Sequence, residues 1–218
     1  MKYKAVIFDL DGTLIDSMGV WKEVDKEYLE KRGIPVPDDI FEDVEGGNSF
    51  IEICHHFKNK FNLLDTIKEI GAEWTCMVAD HYKTGVKLKP NAEDFLTKLE
   101  AANIKMAVGT SNSKFLAETV LRSNGVYRKF GAIVAGCEEI KGKPFPDIFL
   151  AAANELGVKP SECLVIEDVL IGVQAAKNAG MDVFAISDEH SRKDRDKISE
   201  AANFFAEDYN EIIAELLG

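Results

Sequence analysis

Asp9 and Asp11 stand two residues apart, directly after the apolar run Ala5-Val6-Ile7-Phe8 and before the small turn Gly12-Thr13. A second acidic pair, Glu167-Asp168, follows another apolar run, Cys163-Leu164-Val165-Ile166, and Thr110 follows the run Ile104–Gly109. Apolar runs of this length, interrupted only by Lys105, suit strands covered on both faces of a parallel sheet. Parallel strands in an open α/β sheet end at one shared edge, which is where such folds bind ligands. Asp9, Asp11, Glu167 and Asp168 are therefore expected to gather in one place, with the Thr110 hydroxyl among them, although they are far apart in the chain. Crowded carboxylates repel one another and are costly to desolvate unless a cation joins them. A hard divalent cation with oxygen ligands, most often Mg²⁺, meets that need.

The elements that must position these groups can be read from periodicity. From Ser17 to about Lys31 apolar residues recur at helical spacing (Val20 or Trp21, Val24, Tyr28, Leu29), and Gly33, Pro35 and Pro37 end the helix. Further helical stretches are expected around Asp38–Glu45, Phe50–Phe61 and Leu64–Tyr82, broken by Gly46-Gly47-Asn48-Ser49. After Lys89-Pro90-Asn91 helices alternate with strands. Helices are expected at Ala92–Ala102, Lys114–Ser123, Pro146–Leu156, Gly172–Asn178 and Tyr209–Leu217. Strands are expected at Ile104–Gly109, Ala132–Val134, Cys163–Ile166, Val183–Ile186 and Asn203–Ala206. Alternation of this kind implies an α/β fold with a doubly wound, mostly parallel, Rossmann-like sheet. An α-helical insert, residues 17–86, interrupts a core made of residues 1–16 and 87–218.

Bulk properties narrow the partners. At 218 residues the chain can bury one core plus a smaller satellite. A net charge of −12 and a pI near 4.9 argue against nucleic acid and anionic membrane surfaces. No apolar stretch approaches the ~20 residues of a membrane span, and no signal peptide pattern opens the chain. Cys54, Cys76, Cys137 and Cys163 show no C-x-x-C spacing, so reduced thiols in a cytoplasmic protein are expected. The chain is expected to be a monomer.

Taken singly, Thr110 reads as a helix cap, Lys143 as a surface lysine and Glu167-Asp168 as an acidic helix start. Taken together and in order, they form a pattern. Asp9-Leu10-Asp11-Gly12-Thr13 resembles the D-x-D-x-T nucleophile motif of the haloacid dehalogenase-like phosphohydrolases. Thr110-Ser111-Asn112, then Lys143-Pro144 with Asp147, then Glu167-Asp168 with Gly172, Ala175-Ala176 and Ala179-Gly180-Met181 resemble the three later motifs. The resemblance implies that Asp9 attacks phosphorus and forms an aspartyl-phosphate, dividing one displacement into two. It implies that Asp11 serves as acid for the leaving alcohol and then as base for water. Mg²⁺ would be held by the Asp9 carboxylate, the Asp11 carbonyl and the Asp168 carboxylate. Glu167 would be a ligand through water or, the reading favoured, an outer acceptor. Lys143, Thr110, Ser111 and Asn112 would hold phosphoryl oxygens. Haloacid dehalogenases proper lack an acid two residues after the nucleophile, so Asp11 favours phosphoryl chemistry over carbon–halogen cleavage.

An insert placed after the first motif resembles the cap of β-phosphoglucomutase-like enzymes and small-metabolite phosphatases, where cap residues select the substrate. Gly46, Gly47, Asn48 and Phe50 form the candidate specificity loop. The sugar phosphomutases carry a His where this chain has Trp21, and an Arg where it has Phe50. A mutase needs that second phosphate grip, so Trp21 and Phe50 point instead to an apolar lid over the leaving group. The expected activity is Mg²⁺-dependent hydrolysis of small phosphate esters. A β-phosphoglucomutase-like isomerase is the alternative, and a non-enzymatic phospho-acceptor resembling response-regulator receivers is more remote. Receivers place their acceptor on a later strand and carry no ~70-residue insert.

Overall fold

A computed structural model describes residues 2–37, 50–136 and 140–218. Six parallel strands form one sheet: β1 (Ala5–Phe8), β2 (Lys105–Thr110), β3 (Ala132–Ala135), β4 (Cys163–Glu167), β5 (Asp182–Ile186) and β6 (Phe204–Ala206). Their order across the sheet is β3-β2-β1-β4-β5-β6, so the direction of winding reverses beside β1. Successive residues of β1 face opposite sides. Val6 and Phe8 join one apolar cluster, whereas Ala5 and Ile7 join the other. The first face is covered by α4 (Ala92–Ala101), α5 (Lys114–Ser123) and α9 (Tyr209–Leu217). The second is covered by α6 (Asp147–Leu156), α7 (Leu170–Asn178) and α8 (Arg195–Ala201). The doubly wound sheet expected from the strand runs is thus the observed one.

Between β1 and α4 the chain leaves the sheet through α1 (Met18–Glu30), α2 (Phe50–Lys60) and α3 (Ile67–Thr84). It departs and returns through two paired segments. Asp16 N–H donates to the Lys87 carbonyl at 3.0 Å, and Lys89 N–H to the Leu14 carbonyl at 3.0 Å. α3 starts with a capping box between Thr66 and Glu69. It buries Ile70, Trp74, Val78 and Tyr82, spaced four apart, and then docks on α5. At that docking the Ser123 hydroxyl donates to the Tyr82 carbonyl at 2.8 Å. The apolar cluster of the insert is continuous with the first face of the sheet.

Most boundaries fall within two or three residues of expectation. α7 starts at Leu170 rather than Gly172. Nothing in the sequence points to α8, because RDKISEA buries only Ile198 and shows no apolar stripe. The expected helix at Asp38–Glu45, the loop residues Gly46, Gly47 and Asn48, and Cys137 lie outside the described residues. Among the described residues no helix is long and apolar enough to cross a membrane.

Candidate active site

The pairing register brings the strand ends together. Phe8 is level with Val108 of β2 and with Ile166 of β4, so Asp9, Thr110 and Glu167-Asp168 emerge at one edge beside the winding reversal. Asp9 N–H donates to the Ile166 carbonyl at 2.9 Å, which pins the start of the turn to β4. Gly12 then takes φ +83°, a left-handed conformation that glycine adopts without strain. A Cβ there would lie 2.5 Å from Asp168 Oδ2, so glycine also allows the turn to approach that carboxylate.

Lys143 is buried and bridges two of the acids. Its Nζ lies 2.5 Å from Asp9 Oδ1 and also donates to Glu167 Oε1. Glu167 uses its other oxygen to accept from the backbone N–H groups of Asp168 (2.7 Å) and Val169 (2.8 Å). All of its capacity is directed at holding Lys143 and the start of α7. A Cβ on Gly172 would collide with this carboxylate, so α7 must present glycine to it. Asp168 Oδ1 accepts from the Thr13 hydroxyl at 2.7 Å. Thr13 in turn is steadied by Tyr209 of α9, whose hydroxyl donates to the Thr13 carbonyl at 3.1 Å.

Three buried carboxylates, Asp9, Glu167 and Asp168, thus lie together with one ammonium, which is paired to the first two. Burial pushes Asp9 up to about 7 against the pull of Lys143. It also drives Asp168 well above the usual carboxylate range, helped by its neighbours Glu167 and Asp9. Lys143 is held above its ordinary value by the two acids, which outweigh the opposing effect of burial. An excess of negative charge on hard oxygen donors suits a divalent cation. Among the described residues no group of three or more His, Cys, Asp or Glu side chains is placed to hold a metal. Two carboxylates, those of Asp9 and Asp168, are close enough to affect each other and could hold such an ion.

Asp11 is turned to different neighbours. Its Oδ1 accepts from Ser17 Oγ (2.6 Å), Trp21 Nε1 (3.2 Å) and the Tyr82 hydroxyl, and its Oδ2 from Asn112 Nδ2 (3.0 Å). Three of these four donors precede or belong to the helices of the insert. Trp21, expected only as an apolar lid, therefore uses its ring N–H on an acid of the core. Its ring also packs edge-on against Phe50 at 6.1 Å and Tyr82 at 6.5 Å. Phe50 faces Trp21 and Trp74 within the insert. The buried Thr110 hydroxyl accepts from Asn112 N–H at 3.0 Å, which folds the Thr110–Asn112 turn over the site.

Ser17, Tyr82 and Thr13 were not singled out from the sequence as site residues. Thr13 had a signal, since it follows the acidic pair directly. Tyr82 had none, because it lies 71 residues from Asp11 and meets it only once α3 has docked.

A family model described as haloacid dehalogenase-like hydrolase matches residues 3–180. Hexitol phosphatase A from Escherichia coli (strain K12) is 30% identical over 192 residues, covering 86% of this chain and 84% of the relative. β-Phosphoglucomutase from Bacillus subtilis (strain 168) is 33% identical over 186 residues, covering 82% and 80%. The chain spans about half, 48%, of a bifunctional riboflavin kinase/FMN phosphatase from Arabidopsis thaliana, to which it is 31% identical over 183 residues, 83% of its own length. Among solved structures, CbbY from Rhodobacter sphaeroides in complex with phosphate shares the fold, with TM-score 0.87, 24% identity and 96% of each chain covered. The match over most of the length, the motifs at the strand ends and the sheet that carries them agree: this chain belongs to the haloacid dehalogenase-like hydrolase family.

Proposed function

We propose that this hydrolase releases inorganic phosphate from small phosphorylated metabolites, with Asp9 as nucleophile and Mg²⁺ as cofactor. One observation carries the reading: Asp9, ion-paired to the buried Lys143, lies beside Asp168 and Thr110 at the edge where the winding reverses. The Asp9 and Asp168 carboxylates and the Asp11 carbonyl would hold the metal, which when bound would offset the charge of the phosphoryl group and the acids around it. Glu167 holds Lys143 and the start of α7 rather than the ion. Asp9 attacks phosphorus, the ester oxygen leaves with a proton from Asp11, and water assisted by Asp11 then cleaves the phospho-Asp9. Lys143 and Thr110 face the phosphoryl oxygens as their charge develops, with Ser111 and Asn112 shaping the turn.

Residues 17–86 act as a cap on a core of residues 1–16 and 87–218. The donors that Ser17, Trp21 and Tyr82 offer to Asp11 tie the catalytic acid to the position of that cap. Cys54, Cys76 and Cys163 are free thiols, in keeping with a reducing cytoplasm.

A panel of phosphate esters, scored for released phosphate with Mg²⁺ and again with EDTA, tests the proposal. Release with Mg²⁺ and none with EDTA is expected, whereas undiminished release in EDTA refutes the metal's role. Conversion of β-glucose 1-phosphate to its 6-phosphate isomer without net release would replace the hydrolase reading with the mutase one.

A further inference from the structure

The last helix of the chain reaches the site from outside its four motifs. β6, the strand before α9, is the outermost of its half of the sheet, three places from β1. α9 nevertheless packs against α4 over the first face, and its first residue, Tyr209, is fully buried. Asp208 fixes that start, since its carboxylate accepts from the N–H groups of Asn210 (2.8 Å) and Glu211 (3.2 Å). The Tyr209 ring lies 5.5 Å from that of Phe95 on α4, and its hydroxyl donates to the Thr13 carbonyl at 3.1 Å. Burial and the neighbouring Asp168 and Asp9 carboxylates hold the phenol well above its ordinary value, so it remains a donor. The match to the family model ends at residue 180, so this contact comes from a part of the chain beyond it.

Thr13 carries the contact to the acids. It is fully buried, and its hydroxyl donates to Asp168 Oδ1 at 2.7 Å. With Oδ1 so engaged, Oδ2 is the oxygen left for a cation. It lies against Gly12, where a Cβ would come within 2.5 Å of it. Gly12 follows Asp11, whose carbonyl is proposed to share the ion, so the Thr13 bond sets which way the Asp168 carboxylate faces. The turn itself is pliable, because Gly12 at φ +83° has the freedom of glycine. Backbone bonds tie its ends, Asp9 N–H to the Ile166 carbonyl and Lys89 N–H to that of Leu14. At Thr13 the tie is the Tyr209 hydroxyl.

We propose that Tyr209 is a positioning residue: through Thr13 it keeps the Asp168 carboxylate facing the cation site, and so sets the affinity for Mg²⁺. The inference rests on the metal-dependent reading above. Loss of an outer partner that orients a metal ligand typically weakens binding by about 10–100-fold. Tyr209 acts at one further remove, so the lower end of that range is expected.

The test is calorimetric titration of Mg²⁺ into the substrate-free protein, as wild type, Tyr209→Phe, Thr13→Val, the double variant and Tyr28→Phe. Tyr209→Phe, which deletes one oxygen, should raise the Mg²⁺ dissociation constant about tenfold, with unchanged far-UV circular dichroism. Mg²⁺ should also raise its melting temperature less than it raises that of the wild type. Thr13→Val should weaken binding at least as much, and the double variant no further, because Tyr209 acts through the Thr13 hydroxyl. Tyr28→Phe removes a buried hydroxyl that has no partner and should bind Mg²⁺ as the wild type does. A Tyr209→Phe protein that melts lower but binds Mg²⁺ like the wild type would reduce the contact to packing and overturn the inference. Additive losses in the double variant, or an equal loss in Tyr28→Phe, would overturn it too. Should Thr13→Val not fold, the Tyr209→Phe titration alone decides. No Mg²⁺ binding by the wild type would instead overturn the metal-dependent reading, and this inference with it.

Discussion

At the sheet edge each buried acid has a neighbour of complementary character. Lys143 stands between Asp9 and Glu167, two backbone N–H groups hold Glu167, and Thr13 donates to Asp168. In the insert the pattern is reversed: the Tyr28 hydroxyl and the Trp74 Nε1 are buried with no hydrogen-bond partner among the described residues. The first arrangement is assembled before any substrate arrives, as preorganised electrostatics require. The second leaves polar atoms desolvated inside aromatic packing, a cost that the packing around them offsets.

The sharpest way to break this contrast is at the nucleophile. Asp9→Asn keeps the shape of the side chain and removes its nucleophilic oxygen, so kcat for any ester hydrolysed by the wild type should fall by about 10⁴-fold or more, with the far-UV circular dichroism unchanged. Lys143→Ala tests whether the edge is a mutually dependent set. It leaves Asp9 and Glu167 buried without their cation, and denaturant melts should show a loss of about 3–5 kcal/mol together with loss of turnover.

On the insert side the sign is opposite. Burial pushes the folded Asp25 carboxyl up to about 8 from an ordinary value of 3.8. Well below pH 3.8 both states are protonated and Asp25 adds no titration penalty. As pH rises towards 8 the unfolded chain releases its proton while the folded one keeps it, so folding is progressively disfavoured. Asp25→Asn removes this pH-dependent term. Relative to wild type it should gain up to a few kcal/mol between pH 5 and pH 8, read from urea melts at the two values. An equal shift at both pH values would contradict the upward push that burial gives this carboxyl. The smallest effect belongs to the link between the regions. Trp21→Phe deletes one of four donors to Asp11 and should lower kcat by about tenfold, with KM for phenyl phosphate nearly unchanged.

The two regions also differ in how far the sequence discloses them. Asp9, Thr110, Glu167 and Asp168 could be placed from the sequence because each ends a buried apolar run, and parallel strands share one edge. Lys143 follows no strand directly, so its place in the pattern rested on the motif resemblance, and its burial between two acids emerges only from the fold. Asp25, on a helix rich in Lys and Glu, reads as one more solvated charge, and only the packing of α1 against its neighbours buries it. The same reason conceals Tyr82, which is an ordinary core position on α3 until the docking on α5 carries its hydroxyl to Asp11.

The most direct test of the account is a rapid acid quench of the wild type turning over phenyl phosphate with Mg²⁺, followed by mass spectrometry of its peptides. One phosphoryl group on the peptide containing Asp9, absent when the same quench is made in EDTA or with Asp9→Asn, is the predicted result. Phosphate release at full rate with the label on another residue, or from Asp9→Asn at the wild-type rate, would contradict it.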